Sequence, residues 1–205
     1  MFRLLTRTYA VIPIFILVLA VSTAMAASPK EVAKQVIDKA LSILNDPAYA
    51  GPAKKQQRHD LVKQIVDRHF DYREMAKRSL GATWNSLSNP QRDEFVRIFA
   101  ELLEASYADK IDRYVKNVRI DYPGERLDGD YAEVPTVVVR PNDRIPLTYR
   151  LHNESGTWMV YDVVIEGVSL VSNYRSQFSR VISESSYAEL VKRLRTKVNE
   201  QRGGA

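Results

Sequence analysis

The hydrophobic pattern changes its period near Asn117, and this change restricts the chain to a mixed fold. Before Asn117, apolar residues recur at spacings of three and four, as on one face of an amphipathic helix. After it they alternate, beginning with Val118, Ile120 and Tyr122, as in a half-buried strand. Beyond Gly167 the helical spacing returns. The sequence therefore predicts helices, then strands, then helices.

Capping and turn residues define where the predicted helices begin and end. Ser28 and Pro29 supply an N-cap and a first-turn proline for a helix that stops near Asn45. The other early signals are an apolar run from Leu61 to Val66, a segment from Tyr72 to Leu80 ended by Gly81, and Asn89-Pro90, which opens the longest helix. Two further helices follow the strands.

Four strands with short turns are predicted between Val118 and Glu166, joined as antiparallel hairpins. The last strand is apolar on both faces, with Trp158, Val160 and Val164 on one face and Met159, Tyr161, Val163 and Ile165 on the other. This order favours an α+β fold, with helices mainly on one side of a curved four-stranded antiparallel sheet. Ordinary core packing would account for all these apolar residues, so the pattern alone leaves open whether a cavity separates the layers.

The N-terminus has the features of an export signal. Arg3 and Arg7 precede an apolar run from Tyr9 to Val21, and Ala24-Met25-Ala26 offers small residues for a signal peptidase. The run is shorter than the roughly 20 residues of a membrane-spanning helix, which disfavours an anchor. We therefore expect a cleaved signal peptide over residues 1–26, a single domain over 27–205 and a periplasmic location, with no disulfide because the chain has no cysteine.

Charge and motifs limit the possible ligands. Removing Arg3 and Arg7 from a net charge of +5 leaves +3, which suits contact with a membrane surface or an acidic partner better than nucleic acid. Asp67, His69 and Asp71 alternate along a predicted helix and so point apart, which disfavours a metal site. The chain has no Gly-x-Gly phosphate loop. We expect no cofactor.

Several blocks between Phe70 and Lys197 occur in a characteristic order. They are Phe70 to Ala76, Leu80 to Trp84, Leu87 to Phe95, Tyr149 to Leu151, Gly156 to Val163, and Glu166 to Leu170 with Asn173 to Phe178. Together these blocks resemble the MlaC (toluene-tolerance) family of periplasmic phospholipid carriers.

The resemblance implies a distorted nuclear-transport-factor-like sheet capped by helices, with acyl chains held between the layers. It implies a carrier, not an enzyme, that moves phospholipid between inner and outer membranes and maintains outer-membrane lipid asymmetry. The implied partners are an inner-membrane ABC transporter with an MCE-domain ring and an outer-membrane lipoprotein complex; we expect a monomer with transient membrane contact. A hopanoid-associated branch of the family leaves another apolar lipid open as cargo.

By this resemblance, apolar residues of the longest helix, the strands and the helix after Gly167 would line the lipid cavity, although each could equally be ordinary core. They are Phe95, Phe99, Leu102, Leu103, Tyr107, Tyr149, Leu151, Trp158, Val160, Val164, Leu170, Tyr174 and Phe178. Arg97 and Arg150 are candidates to meet the lipid phosphate at the mouth.

Two other classes stay open from the sequence. A cone-shaped sheet with a helical lid can house acid–base chemistry, for which His152, Asp162 and Glu166 with Tyr161 are the candidates. An interaction scaffold in the cell envelope would bind no lipid at all.

Overall fold

The computed structural model describes residues 27–114 and 118–203. The predicted signal peptide, residues 1–26, lies outside the described residues. Among residues 27–114 and 118–203, none of the helices combines the length and the hydrophobicity of a membrane-spanning segment.

The first two helices are separated by a proline-containing loop. Helix α1 (Pro29–Leu44) begins with a capping box, in which Ser28 and Glu31 bond to each other's backbone N–H groups. Asn45 caps its end, as the sequence predicts. Two short 3₁₀ turns, Pro47–Tyr49 and Pro52–Lys54, then lead into α2 (Lys55–Asp67).

Helix α3 (Tyr72–Leu80) has the predicted bounds. The Asp71 carboxylate accepts a hydrogen bond from the backbone N–H of Glu74 at its start, and Gly81 with φ 57° ends it. The positive φ favours glycine at this position, and a Cβ there would also lie 3.1 Å from the Arg175 guanidinium, which would have to shift slightly. The short α4 (Thr83–Ser86) and the long α5 (Asn89–Tyr114) follow.

Within the described residues, the sheet has six antiparallel strands. They are β1 (Arg119–Asp121), β2 (Arg126–Asp128), β3 (Tyr131–Arg140), β4 (Asp143–Glu154), β5 (Thr157–Ile165) and β6 (Val168–Ser169), in the order β1-β3-β4-β5-β6 with β2 also paired to β3. The α+β class with a curved antiparallel sheet is confirmed, but the predicted four strands omitted β2 and β6. Both are too short to show an alternating pattern.

Two tight hairpins explain why the last strands form. Ser155 and Gly156 connect β4 to β5, and Glu166 and Gly167 connect β5 to β6. All four residues have positive φ, the requirement of the two-residue type I′ turn. The break predicted at Gly167 therefore leads first into β6, after which Ser169 caps α6 (Leu170–Glu184).

A β-bulge in β5 changes which side chains face inward. Leu151 pairs with Val160 and Arg150 pairs with Asp162, so Tyr161 is the extra residue. Simple alternation would group Val164 with Trp158 and Val160, but the bulge brings Val163 to their face and turns Val164 to the opposite face. The predicted assignment of faces is wrong beyond Tyr161 for this reason.

Two buried clusters hold the fold together. A helical cluster joins α3, α4, α5, α6 and α7 (Tyr187–Gly203) through residues such as Met75, Phe99 and Leu190. A sheet cluster joins β3, β4 and β5 to α1 through residues such as Val134 and Leu151. The space between these clusters contains the candidate site.

Candidate functional site

A cavity of about 300 Å³ lies between the sheet and helices α1, α2, α3 and α5. This volume is at the lower end of the range of roughly 300–1,000 Å³ found for small-molecule sites. Its lining is almost entirely apolar. The residues that form it are Val36, Ile37, Ala40, Leu41, Leu44, His59, Val62, Lys63, Val66, Phe70, Tyr72, Met75, Leu103, Glu104, Tyr107, Ala108, Ile111, Ile120, Thr136, Val138, Leu147, Tyr149, Val163, Ile165 and Leu170.

Strand alternation builds the sheet wall. Thr136 and Val138 on β3 face the same side as Leu147 and Tyr149 on β4, because Thr136 pairs with Leu147 and Tyr149 pairs with Val163. The Thr136 hydroxyl donates to the Leu147 carbonyl oxygen at 3.3 Å, so it adds no unpaired polar group to the wall. The sheet wall is consequently apolar over several strands.

Helices α1 and α2 form most of the opposite wall, and sequence reasoning missed them. On α1, Val36, Ile37, Ala40, Leu41 and Leu44 share the face that borders the cavity. This stripe is visible in the sequence at helical spacing and could have identified the wall. The blocks that resemble the MlaC family begin only at Phe70. The predicted lining residues were therefore taken from α5 and later elements and included none from α1 or α2.

Four of the predicted lining residues border the cavity, where they also pack against one of the two buried clusters, and the other nine do not border it. Leu103, Tyr107, Tyr149 and Leu170 border the cavity. Phe95, Phe99, Leu102, Tyr174 and Phe178 belong to the helical cluster; Leu151, Trp158 and Val160 belong to the sheet cluster; Val164 lies on the opposite sheet face. Contact of any of these residues with a bound lipid stays a prediction.

Ring packing explains why Phe95 and Phe99 of α5 lie away from the cavity. Phe99 contacts Tyr174 edge-on at a centroid distance of 5.2 Å, and Phe95 contacts Phe178 in the same manner at 5.7 Å. These rings fix α5 against α6. An amphipathic stripe predicts burial equally well for a core contact and a cavity wall, so the sequence could not distinguish the two.

The two arginines proposed for the lipid phosphate lie elsewhere. Arg97 is exposed on α5 and does not border the cavity. Arg150 faces the opposite side of the sheet, where it bonds Glu133 at 3.1 Å and Asp162 at 3.2 Å. Burial of the guanidinium is the largest single influence and lowers the pKa of Arg150. The two carboxylates together outweigh it, so the pKa is raised above its ordinary value.

The candidate acid–base residues have structural partners. His152 Nε2 lies 2.9 Å from Asp71 Oδ2, and Asp71 also caps α3. Asp162 accepts bonds from Ser169 and from the backbone N–H of Val171 at the start of α6. Both side chains lie on the sheet face away from the cavity, and Glu166 is exposed in a turn. Across residues 27–114 and 118–203, no three His, Asp or Glu side chains gather as a metal site.

Burial raises the pKa of two tyrosine hydroxyls that border the cavity. Desolvation raises the pKa of Tyr149 to about 12. Desolvation, followed by the influence of the Tyr174 hydroxyl, raises the pKa of Tyr107 to about 12. Both groups are therefore neutral hydrogen-bonding side chains at physiological pH.

An apolar cavity between a curved sheet and a helical cover, with few polar groups in its wall, is typical of a protein that binds a lipid or another apolar ligand. The chain matches the family model described as MlaC protein over residues 34–196, and it belongs to the MlaC family.

Two relatives agree with this assignment. The chain is 26% identical over 196 residues to the intermembrane phospholipid transport system binding protein MlaC of Haemophilus influenzae, covering 89% of this chain and 88% of that protein. It is also similar to a solved phospholipid-binding protein from Ralstonia solanacearum in complex with a phospholipid. That likeness has a TM-score of 0.78 at 26% identity, covering 86% of this chain and 99% of the other.

Proposed function

We propose that this protein is a periplasmic phospholipid carrier that holds acyl chains in the cavity between sheet and helices. The observation that carries this proposal is the apolar cavity itself, in a fold shared with a protein solved with phospholipid bound. Apolar side chains on α1, α2, α5 and the sheet would replace the hydrocarbon surroundings of the bilayer.

The energetics suit reversible transfer. Removing acyl chain from water yields about 0.8 kcal/mol per CH₂, whether the chain enters a membrane or an apolar cavity. The two gains nearly cancel, so neither the membrane nor the carrier traps the lipid. The obstacle is passage of bare chains through water, and a cavity that docks against a donor membrane or protein avoids it.

The proposal includes export and two docking partners. Residues 1–26 would be cleaved, and residues 27–205 would act as one domain in the periplasm. The carrier would exchange lipid with an inner-membrane ABC transporter bearing an MCE-domain ring and with an outer-membrane lipoprotein complex, which would help maintain outer-membrane lipid asymmetry. Exposed basic residues on α7, including Lys192 and Lys197, offer a surface for transient contact with anionic headgroups or an acidic partner.

Native mass spectrometry of protein purified from the periplasmic fraction tests this function. We expect a complex whose added mass equals an intact phospholipid, identified after solvent extraction. A protein that carries no lipid, even after incubation with phospholipid vesicles, would overturn the proposal. Recovery of a hopanoid or another neutral lipid in place of phospholipid would overturn the choice of cargo, and recovery of a chemically altered lipid would favour an enzyme.

A further inference from the structure

Two nitrogen-bearing side chains interrupt the apolar wall of the cavity, and both belong to α2. His59 and Lys63 are four residues apart, so they project from the same helix face one turn apart. Val62 and Val66 continue that face as apolar lining. This face of α2 therefore offers two hydrogen-bonding side chains among apolar ones to whatever occupies the cavity.

The His59 ring has an unsatisfied nitrogen. Its Nε2 atom is buried and has no hydrogen-bond partner among the described residues. The Asp109 carboxylate lies 3.8 Å from this nitrogen, which is too distant for a hydrogen bond. Asp109 is instead 3.0 Å from the Lys55 ammonium. Buried polar atoms without a partner are rare in folded proteins, so this nitrogen is free to hydrogen-bond a ligand in the cavity.

Lys63 can serve the same ligand. Its ammonium pairs with Asp67, and the two side chains are 40% and 38% exposed. Exposed ion pairs of this kind contribute little to stability, so exchange of Asp67 for a ligand anion costs little. Asp67 would keep the hydrogen bond that it accepts from the Tyr72 hydroxyl at 3.1 Å.

A phosphodiester matches this pair of donors. It carries one negative charge and two non-bridging oxygens, one for the His59 Nε2–H group and one for the Lys63 ammonium. Glu104 borders the cavity, and Asp109, which pairs with Lys55, lies 3.8 Å from His59 Nε2. A phosphate here would be attracted by Lys63 and repelled by the nearby carboxylates. A free anion would therefore bind weakly, whereas a phosphate whose acyl chains occupy the cavity would be held in place.

We propose that His59 and Lys63 hold the phosphate of the bound lipid and make the chain select phospholipid over diacylglycerol with the same acyl chains. This inference rests on the proposed carrier function, since the acyl chains occupy the apolar remainder of the cavity.

Competitive loading tests the selection. Delipidated protein is incubated with vesicles that contain equal amounts of phosphatidylglycerol and diacylglycerol with identical acyl chains, and the bound lipids are extracted and quantified. A charge-assisted hydrogen bond corresponds to roughly tenfold in binding, so wild type should contain phospholipid in about tenfold excess. His59→Leu and Lys63→Met should each reduce the excess severalfold without lowering total lipid per protein. His59→Gln retains an N–H donor and should keep part of the excess.

The matched control is Lys39→Met, which removes an exposed lysine of α1 that does not border the cavity. It should retain the wild-type ratio. Equal loading of both lipids by wild type, or an unchanged ratio in both α2 variants, would overturn this inference while leaving the carrier function intact. Uptake of neither lipid would contradict the carrier function itself. Binding of inorganic phosphate without lipid, measured by calorimetry, would show a site for free anion and also overturn the selection.

Discussion

Arg150 donates a hydrogen bond from Nη1 to Oδ2 of Asp162 at 3.2 Å, on the sheet face opposite the cavity. The Asp162 carboxylate also accepts from the Ser169 hydroxyl at 2.6 Å and from the Val171 backbone N–H at 3.1 Å. One buried carboxylate thus joins β4 to β5 and fixes the first turn of α6. Asp162, which the sequence offers as a candidate acid–base residue, therefore has a structural role in connecting these elements.

Asp162→Asn should destabilise the protein by about 2–3 kcal/mol. The change removes the charge that balances Arg150 and replaces one accepting oxygen by a donor next to groups that already donate. Urea unfolding followed by circular dichroism measures the loss. The control is Asp143→Asn, which alters the pair between an exposed Asp143 and a partly buried Arg140 and should change stability by less than about 1 kcal/mol. Equal unfolding midpoints for Asp162→Asn and wild type would contradict the assigned role.

Ala40→Trp and Ala108→Trp should each reduce bound lipid strongly. These alanines border the cavity from α1 and α5, and an indole at either position would occupy space otherwise open to acyl chain. Lipid per protein after extraction is the measurement. Ala188→Trp, at an exposed position on α7, adds the same side chain outside the cavity and should retain the full lipid content. Unchanged lipid in both cavity variants would show that lipid binds elsewhere.

Removal of lipid should lower the free energy of unfolding by several kcal/mol. An empty apolar cavity of about 300 Å³, at about 24 cal/mol per Å³, corresponds to about 7 kcal/mol. Because this approaches the whole stability of a typical domain, roughly 5–15 kcal/mol, we expect the lipid-free cavity to contract in part. Thermal unfolding before and after delipidation, with recovery on adding phospholipid, measures the effect. Identical melting temperatures would contradict it.

The helix boundaries were readable from the sequence because single residues determine them. Ser28, Asn45 and Gly81 each stop or start a helix through a local hydrogen bond or a special backbone angle. Which side of the sheet each β5 residue faces could not be predicted beyond Tyr161. A bulge depends on the pairing with β4, and the apolar pattern of β5 alone does not show it.

The location of the cavity wall was only partly predictable for a related reason. Apolar periodicity tells which face of α5 is buried, but the partner of that face is a tertiary property. Phe99 packs against Tyr174 and Phe178, whereas Leu103, one turn further on, borders the cavity. Both residues belong to the helical cluster, and the elements that pack around each one decide which of them reaches the cavity.

Phe99→Leu should therefore affect stability rather than lipid content. The substitution removes edge-on ring contacts and leaves a small void in the helical cluster, which together cost about 1–2 kcal/mol. Urea unfolding reports the stability, and extraction reports lipid per protein, which should equal that of wild type. If the variant has normal stability but binds little lipid, the prediction is wrong and Phe99 contacts the lipid.

Alkaline pH should lower the free energy of unfolding through the ionisation of Tyr149. Burial raises the pKa of its hydroxyl to about 12, above the ordinary value of 10.0 that the unfolded chain retains. Between those two values the unfolded state loses a proton that the folded state keeps, so stability is full below pH 10 and declines as pH rises towards 12. The decline from this residue amounts to about 1.4 kcal/mol per pH unit. Tyr149→Phe has no hydroxyl to ionise, and its stability should fall less steeply over this interval. Unfolding free energies of both proteins at pH 9, 10 and 11 provide the comparison, and parallel pH profiles would show that the hydroxyl ionises as readily in the folded state as in the unfolded chain.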